Sequence, residues 1–195
     1  MFEQSKSAKR RYRDGQFHSK YFVGNGIDIG AGNDTLANLI PMFPGIKSIK
    51  SWDINDGDAQ YLESCKEGQF DFVHSSHCLE HMEDYGVALY NWIRVTRPGG
   101  YLVITIPDEN MYEHNQWPSK FNDDHKWSFT LTNKSNLPRS VNVLDMLNRK
   151  DTLANVIVQK IELIDEFYHL NIDPKFDQTL LPNSECCIEF ILRKI

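Results

Sequence analysis

Two imidazoles and a carboxylate crowd one short segment, His77-Cys78-Leu79-Glu80-His81, and a further imidazole, His125, follows within a polar and aromatic stretch. Imidazoles titrate near neutrality, so any of His77, His81 and His125 is suited to removing a proton from a hydroxyl or a protonated amine. Were residues 77–81 helical, His77 and His81 would share a face at i and i+4. They could then hold a metal, with Glu80 as general base. A second group of residues is built for binding rather than proton transfer. Ile27-Asp28-Ile29 runs into a turn with glycines at Gly30 and Gly32. Without Cβ atoms, that turn lets a ligand lie against bare backbone N–H groups at the start of the next element. Asp28 and Asp34 place negative charge on both sides of it, which repels a diphosphate and favours an elongated cationic or zwitterionic ligand.

The elements that must position these groups follow from periodicity. Alternation around Ile27 and Ile29 predicts a strand, and Thr35 to Ile40 a helix broken by Pro41 to Gly45. Ile46 to Ile54 reads as a second strand ending on Trp52-Asp53-Ile54, and Gln69 to Ser76 as a third. A helix is expected from about Asp84 to Thr96, with Ala88, Leu89, Trp92, Ile93 and Val95 on one face. Arg97-Pro98-Gly99-Gly100 stops it, and Tyr101 to Pro107 is a strand by length and β-branching. Residues 108–140 lack apolar periodicity and hold Tyr112, His114, Trp117, Phe121, His125 and Trp127, the composition of a loop over a site. Arg139-Ser140 is expected to cap a helix from Val141 to Arg149, and strands near Asn155–Asp165 and Glu185–Leu192 to close the chain.

Composition sets the outer bounds. With 195 residues, 41% hydrophobic and 25% charged, the chain suits one domain over residues 1–195. A net charge of -6 argues against a nucleic-acid partner, and no apolar run reaches the length of a membrane span. The polar start has no signal-peptide core, so a cytoplasmic location is expected. Four cysteines without a C-x-x-C pair read as reduced thiols. Residues 1–20 are basic, with Lys6, Lys9, Arg10, Arg11, Arg13 and Lys20, and read as a solvated leading helix or as a flap whose arginines meet an anionic substrate.

Asp28-x-Gly30-x-Gly32 resembles motif I of the class I S-adenosylmethionine (SAM) dependent methyltransferases, with Asp34 where the family has its last glycine. Two more segments agree in order: Phe70-Asp71-Phe72-Val73 followed by Leu79-Glu80-His81, and Arg97-Pro98-Gly99-Gly100 before an apolar strand. The resemblance covers residues 24 to 107. It implies an α/β fold, a doubly wound, mainly parallel Rossmann-like sheet with a C-terminal antiparallel strand pair. Because Asp58-Ala59 follows Asp53 with no room for a helix and strand, the sheet should be short by one strand or edge.

On this resemblance the cofactor is SAM, with S-adenosylhomocysteine as product. Asp28, Gly30, Ala31 and Gly32 would cradle its methionine part, Asp53 and Ile54 its ribose, and Asp58 and Ala59 its adenine, with Ser75 and His77 alongside. Asp53 follows Asp28 at close to the separation of about 20 residues at which a strand-end acid meets a ribose. His81 and His125 are the expected catalytic bases, and residues 108–140 the acceptor side. L-E-H and D-H-K-W look most like methyltransferases of surface-polysaccharide pathways, implying a small or sugar-linked hydroxyl, phosphate or amine acceptor. The rival readings are a zinc hydrolase, because His77-x-x-Glu80-His81 fits the H-x-x-E-H motif of the inverzincin proteases, a nicotinamide enzyme, and a SAM-binding regulator. The zinc motif begins at a strand end with no third protein ligand signalled, so no metal is expected. The missing third glycine of G-x-G-x-x-G and the acidic turn speak against a dinucleotide.

Overall fold

The apolar alternation at Ile27 and Ile29 becomes β1 (Gly24–Ile29), and the same rule builds β2 (Ile46–Trp52) and β3 (Phe70–Ser76). The computed structural model describes residues 3–132, 137–149 and 153–195. Residues 1–2 of the basic segment and 133–136 of the expected acceptor-side loop lie outside them. Further along come α2 (Tyr85–Val95), β4 (Thr96–Pro107), the short β5 (Ser128–Thr130) and β6 (Ser140–Asn142), α3 (Val143–Leu147), β7 (Val156–Ile164) and β8 (Cys187–Lys194), while α1 (Glu3–Arg13) leads the chain.

Six strands form one sheet in the order β2-β1-β3-β4-β8-β7. β1 to β4 run parallel, β8 is antiparallel to β4, and β7 is antiparallel to β8. From β1 the chain goes one way to β2 and, after crossing back, the other way to β3 and β4. The switch therefore lies beyond the carboxyl ends of β1 and β3, where open parallel sheets leave a crevice. Both faces are covered, as strands buried on two sides require. On β4, Leu102, Ile104 and Ile106 join the core beneath α2, and Val103 points to the opposite core of Phe17, Phe22, Leu36, Phe43 and Phe72. The residues between β2 and β3 hold only a 3-10 turn (Ile54–Asp56), so β2 is an edge and the sheet is short by one strand, as expected.

α2 follows its sequence closely. Asp84 caps it by accepting from the N–H groups of Gly86 and Val87, and its apolar face lies on the sheet. Other expectations need correction. The segment after the glycine turn is a short 3-10 helix (Leu36–Met42) that ends one residue past Pro41, whose ring has no N–H to continue it. Arg97–Gly100 keeps its turn but as a bulge within β4, four residues looping out between the pairs Phe70–Thr96 and Phe72–Tyr101. α3 is capped by Asn142, not by Arg139 or Ser140, since Ser140–Asn142 pairs as β6 with β5. The stretch from Asp108 to Ser140 is thus partly ordered by a small sheet of its own.

The largest correction concerns the basic segment. Arg11 is wholly buried in α1: it donates to Glu189 at 2.8 Å, to Thr105 Oγ1 at 2.8 Å and to Gln4 at 3.3 Å. Arg10 bonds Glu185 and Glu189, and Lys6 donates to Glu3 and to the carbonyls of Thr179 and Ser184. These cations hold α1 to the sheet and are neither solvated nor open to an anionic substrate. All four cysteines are free and buried. No helix among the described residues is long and apolar enough to cross a membrane.

Candidate functional site

Beyond Ile29 the chain turns at Gly30, where φ is +73° and a Cβ would come within 2.6 Å of the Cys78 side chain. Only glycine meets both conditions. Asp28 holds this turn from below: its Oδ2 accepts from Leu36 N at 2.7 Å and Thr35 Oγ1 at 3.0 Å. Its Oδ1 lies 2.6 Å from Nδ1 of the fully buried His74, whose other nitrogen faces Arg11 at 3.0 Å. An arginine can only donate, so Nδ1 carries the proton and bonds Asp28. Burial lowers the pKa of His74 despite the pull of Asp28, keeping the ring neutral.

Above the turn lies a hollow of about 170 Å³ lined by Gly30, Ala31, Gly32 and Asp28, together with Asn33, Asp34, Glu3, Gln4, His74, Ser76 and His77. α1 forms one wall, tied to the turn by Ser5, whose N–H and hydroxyl both donate to Asp34. Burial raises the Glu3 carboxyl to about 7, although Lys6 opposes it. Gln4 Nε2 and Ser76 Oγ are buried with no hydrogen-bond partner among the described residues. A second hollow of about 630 Å³ adjoins the first through Gly30 and His77. Asp53, Ile54, Gly57, Asp58, Ala59, Cys78, His81, Met82 and Asp124 line it.

Most of the expected site residues meet here. Ser75 does not: its hydroxyl turns to the Ile29 carbonyl at 3.1 Å within the sheet, and Ser76, on the opposite face, lines the first hollow. Period-2 continuation from Phe72 through His74 was the signal for Ser76. Asp28 lines the first hollow, but its oxygens are engaged by the fold, so it shapes the turn. Glu3 and Gln4 carry no local signal, because only long-range contacts, the Ser5 hydrogen bonds to Asp34 and the ion pairs of Arg10 and Arg11, bring α1 to the turn.

His77 sits at φ +52°, a conformation costly for a non-glycine residue, and Leu79–His81 is a single 3-10 turn. The helical face that a hydrolase reading of His77-x-x-Glu80-His81 needs is therefore absent. What gathers instead is a cluster. Lys126 and Trp127 donate their N–H groups to the Glu80 carbonyl, which brings His125 behind His81, with ring centroids 4.9 Å apart. His125 is buried outside both hollows, and His81 alone of this pair opens on the larger one. Glu113 Oε1 lies 2.6 Å from His125 Nδ1, and Asp124 Oδ2 3.0 Å from His81 Nδ1. Burial pushes the Glu80 carboxyl up and lowers His77 to about 3, while His125 is raised by Glu113 and Glu80 against the effect of its own burial.

Comparison with known proteins agrees with this architecture. A SAM-dependent methyltransferase from Archaeoglobus fulgidus superposes with a TM-score of 0.61 at 18% identity, covering 98% of this chain and 94% of that one. One from Aquifex aeolicus gives 0.56 at 11% identity, over 100% and 90% of the two chains. Phosphoethanolamine N-methyltransferase 2 of Haemonchus contortus, in complex with SAM, gives 0.59 at 14% identity, with 95% of this chain on 52% of that one. At such identities the likeness concerns the fold. No curated protein sequence matches the chain. A family model for the methyltransferase domain matches residues 7–140, and the chain belongs to that methyltransferase family.

Proposed function

We propose that the two adjoining hollows hold SAM, and that this methyltransferase passes the methyl group to a small hydroxyl- or amine-bearing acceptor that enters beside His81. The observation that carries this reading is the meeting, at Gly30 and His77, of a small hollow edged by Glu3, Gln4, Asp34 and Ser76 with a larger one that adds Ile54, Ala59 and Met82. SAM has matching ends, a zwitterionic methionine and an adenosine. Gly30 and Gly32 admit the methionine chain, Glu3 faces its ammonium, and the unpartnered Gln4 Nε2 and Ser76 Oγ offer hydrogen bonds to its carboxylate. Asp53 accepts from the ribose hydroxyls, and Asp58 and Ala59 border the adenine.

When bound, SAM supplies a methyl group on a cationic sulfur, open to in-line displacement. The protein must hold the acceptor on that line and receive or relay its proton. His81 faces the acceptor side, with Glu80 and His125 behind it. Asp53, Asp58 and Asp124 give this hollow a negative rim that favours a neutral hydroxyl or an amine over a phosphate. Arg10 and Arg11, already paired with Glu189, leave no guanidinium for an anion. A sugar-linked acceptor in surface-polysaccharide synthesis rests on the L-E-H and D-H-K-W resemblance, and the basic leading segment serves the site as the wall from α1.

Methyl-labelled SAM incubated with panels of sugar alcohols, amines and sugar phosphates tests the assignment. Label should pass to a hydroxyl or amine. Transfer only to phosphate oxygens, or to nothing while SAM binds, would contradict the acceptor reading.

A further inference from the structure

Glu80 is fully buried, and neither of its carboxylate oxygens accepts a hydrogen bond from any other described residue. Three imidazole nitrogens nevertheless surround Oε1: His77 Nδ1 at 3.7 Å, His81 Nε2 at 4.0 Å and His125 Nε2 at 4.0 Å. A hydrogen bond would draw nitrogen and oxygen to about 2.7–3.2 Å. The observed spacing is too wide for that and leaves room between the donor atoms. One ligand atom each from Glu80, His81 and His125 lies within 4.8 Å of the others. An ion at about 2.0–2.2 Å from such ligands requires them to close by about an ångström, within reach of small side-chain rotations.

Two further features favour an ion. Glu113 fixes Nδ1 of His125, so Nε2 is the nitrogen aimed at Glu80, and Asp124 does the same for His81. A carboxylate behind each imidazole is the outer arrangement that orients histidine ligands and strengthens them as bases. In addition, His81 opens on the larger hollow, so the cluster is closed by protein on one side and accessible on the other. An accessible fourth position is what separates a catalytic from a structural metal site.

We propose that Glu80, His81 and His125 form a site for one divalent transition-metal ion of the zinc, cobalt or manganese kind, whose open position faces the acceptor. In this account, which rests on the methyltransferase reading for its chemistry, His81 is a ligand rather than the proton acceptor. The ion binds the acceptor hydroxyl oxygen and lowers its pKa, and the proton leaves to solvent water through the hollow. The oxygen then forms its bond to the methyl carbon as the carbon–sulfur bond breaks, the sulfur keeping the electron pair as a neutral thioether.

Chelator-stripped protein titrated separately with Zn²⁺, Mn²⁺ and Co²⁺, by calorimetry and, for Co²⁺, by visible absorption, tests the site without any turnover. One ion per chain should bind, with Co²⁺ showing ligand-field bands. Glu80→Gln and His125→Ala should weaken binding by about 100-fold or more, and Glu113→Gln by about 10- to 100-fold. His169→Ala, a residue whose backbone bonds Gln178 and whose ring lines neither hollow, should change nothing. Glu80→Gln is nearly isosteric and removes an unpaired buried charge, so the metal-free variant should melt no lower than the parent while losing the metal-induced rise in melting temperature. Absence of binding at about 1 mM ion, or equal binding by the parent, Glu80→Gln and His125→Ala, overturns the site. Metal binding without SAM binding would remove the methyltransferase chemistry and keep the site; SAM binding without metal would do the reverse.

Discussion

Two fully buried glutamates, Glu189 on β8 and Glu80 beyond β3, meet opposite surroundings. Glu189 receives both Arg10 and Arg11, and although burial alone would raise its carboxyl, the two guanidiniums hold it at about 2. The Glu80 side chain receives no hydrogen bond from any other described residue, and burial pushes its carboxyl up. A buried charge with its partners in place is part of the architecture; one without them is a cost that a folded chain keeps for a purpose. By that measure Arg10 and Arg11 are structural, a strap that locks α1 onto the sheet, and the Glu80 cluster is the candidate for a function of its own.

The largest expected effect breaks the first half of this contrast. Glu189→Gln leaves Arg11 buried without its counter-charge and should lower unfolding stability by about 3–5 kcal/mol in urea titrations. The same change at Glu80 should cost less than about 1 kcal/mol, or stabilise. Equal losses at the two positions would erase the distinction. Next in size is the acid limb. Glu189 titrates at about 2 when folded against 4.5 ordinarily, so the unfolded chain takes up the proton first. Its contribution, on the order of 3 kcal/mol, is intact above pH 4.5 and lost as pH falls toward 2. Urea midpoints measured across that window should fall steeply, and a flat profile would show the pair to be weak. The smallest effect on stability belongs to Asp53→Ala. This exposed strand-end carboxylate caps only the three-residue Ile54–Asp56 turn, so its loss should change unfolding by about 0.5 kcal/mol while weakening SAM binding by about 10-fold.

The same contrast explains what could be read from the residues alone. Asp28, Gly30, Gly32 and Thr35 lie within a few positions of one another, so the first hollow's floor is a local structure with a local signal. Asp53, Asp58 and Ala59 likewise follow from the end of one strand. Arg10 and Arg11 look like solvent-facing charges until β8, at the other end of the chain, supplies Glu189. The third strand ends at Ser76 in the sequence reading and in the structure alike; what the motif resemblance leaves out is its alternation, which puts His74 and Ser76 on the hollow's face and Ser75 on the other. His125 and His81 each carried a signal, but their meeting with Glu80 depends on the fold of residues 108–130 back onto the Leu79–His81 turn, which has no periodicity to announce it. Hence the residues alone signal no third potential ligand beside Glu80 and His81.

Isothermal titration of the purified chain with SAM and with S-adenosylhomocysteine tests the central claim most directly, that the paired hollows at Gly30 and His77 hold the cofactor. Binding of both at micromolar strength, lost in Gly30→Ala because a Cβ there meets Cys78, is the predicted result. A folded parent chain that binds neither, or a Gly30→Ala variant that binds both unchanged, would contradict it.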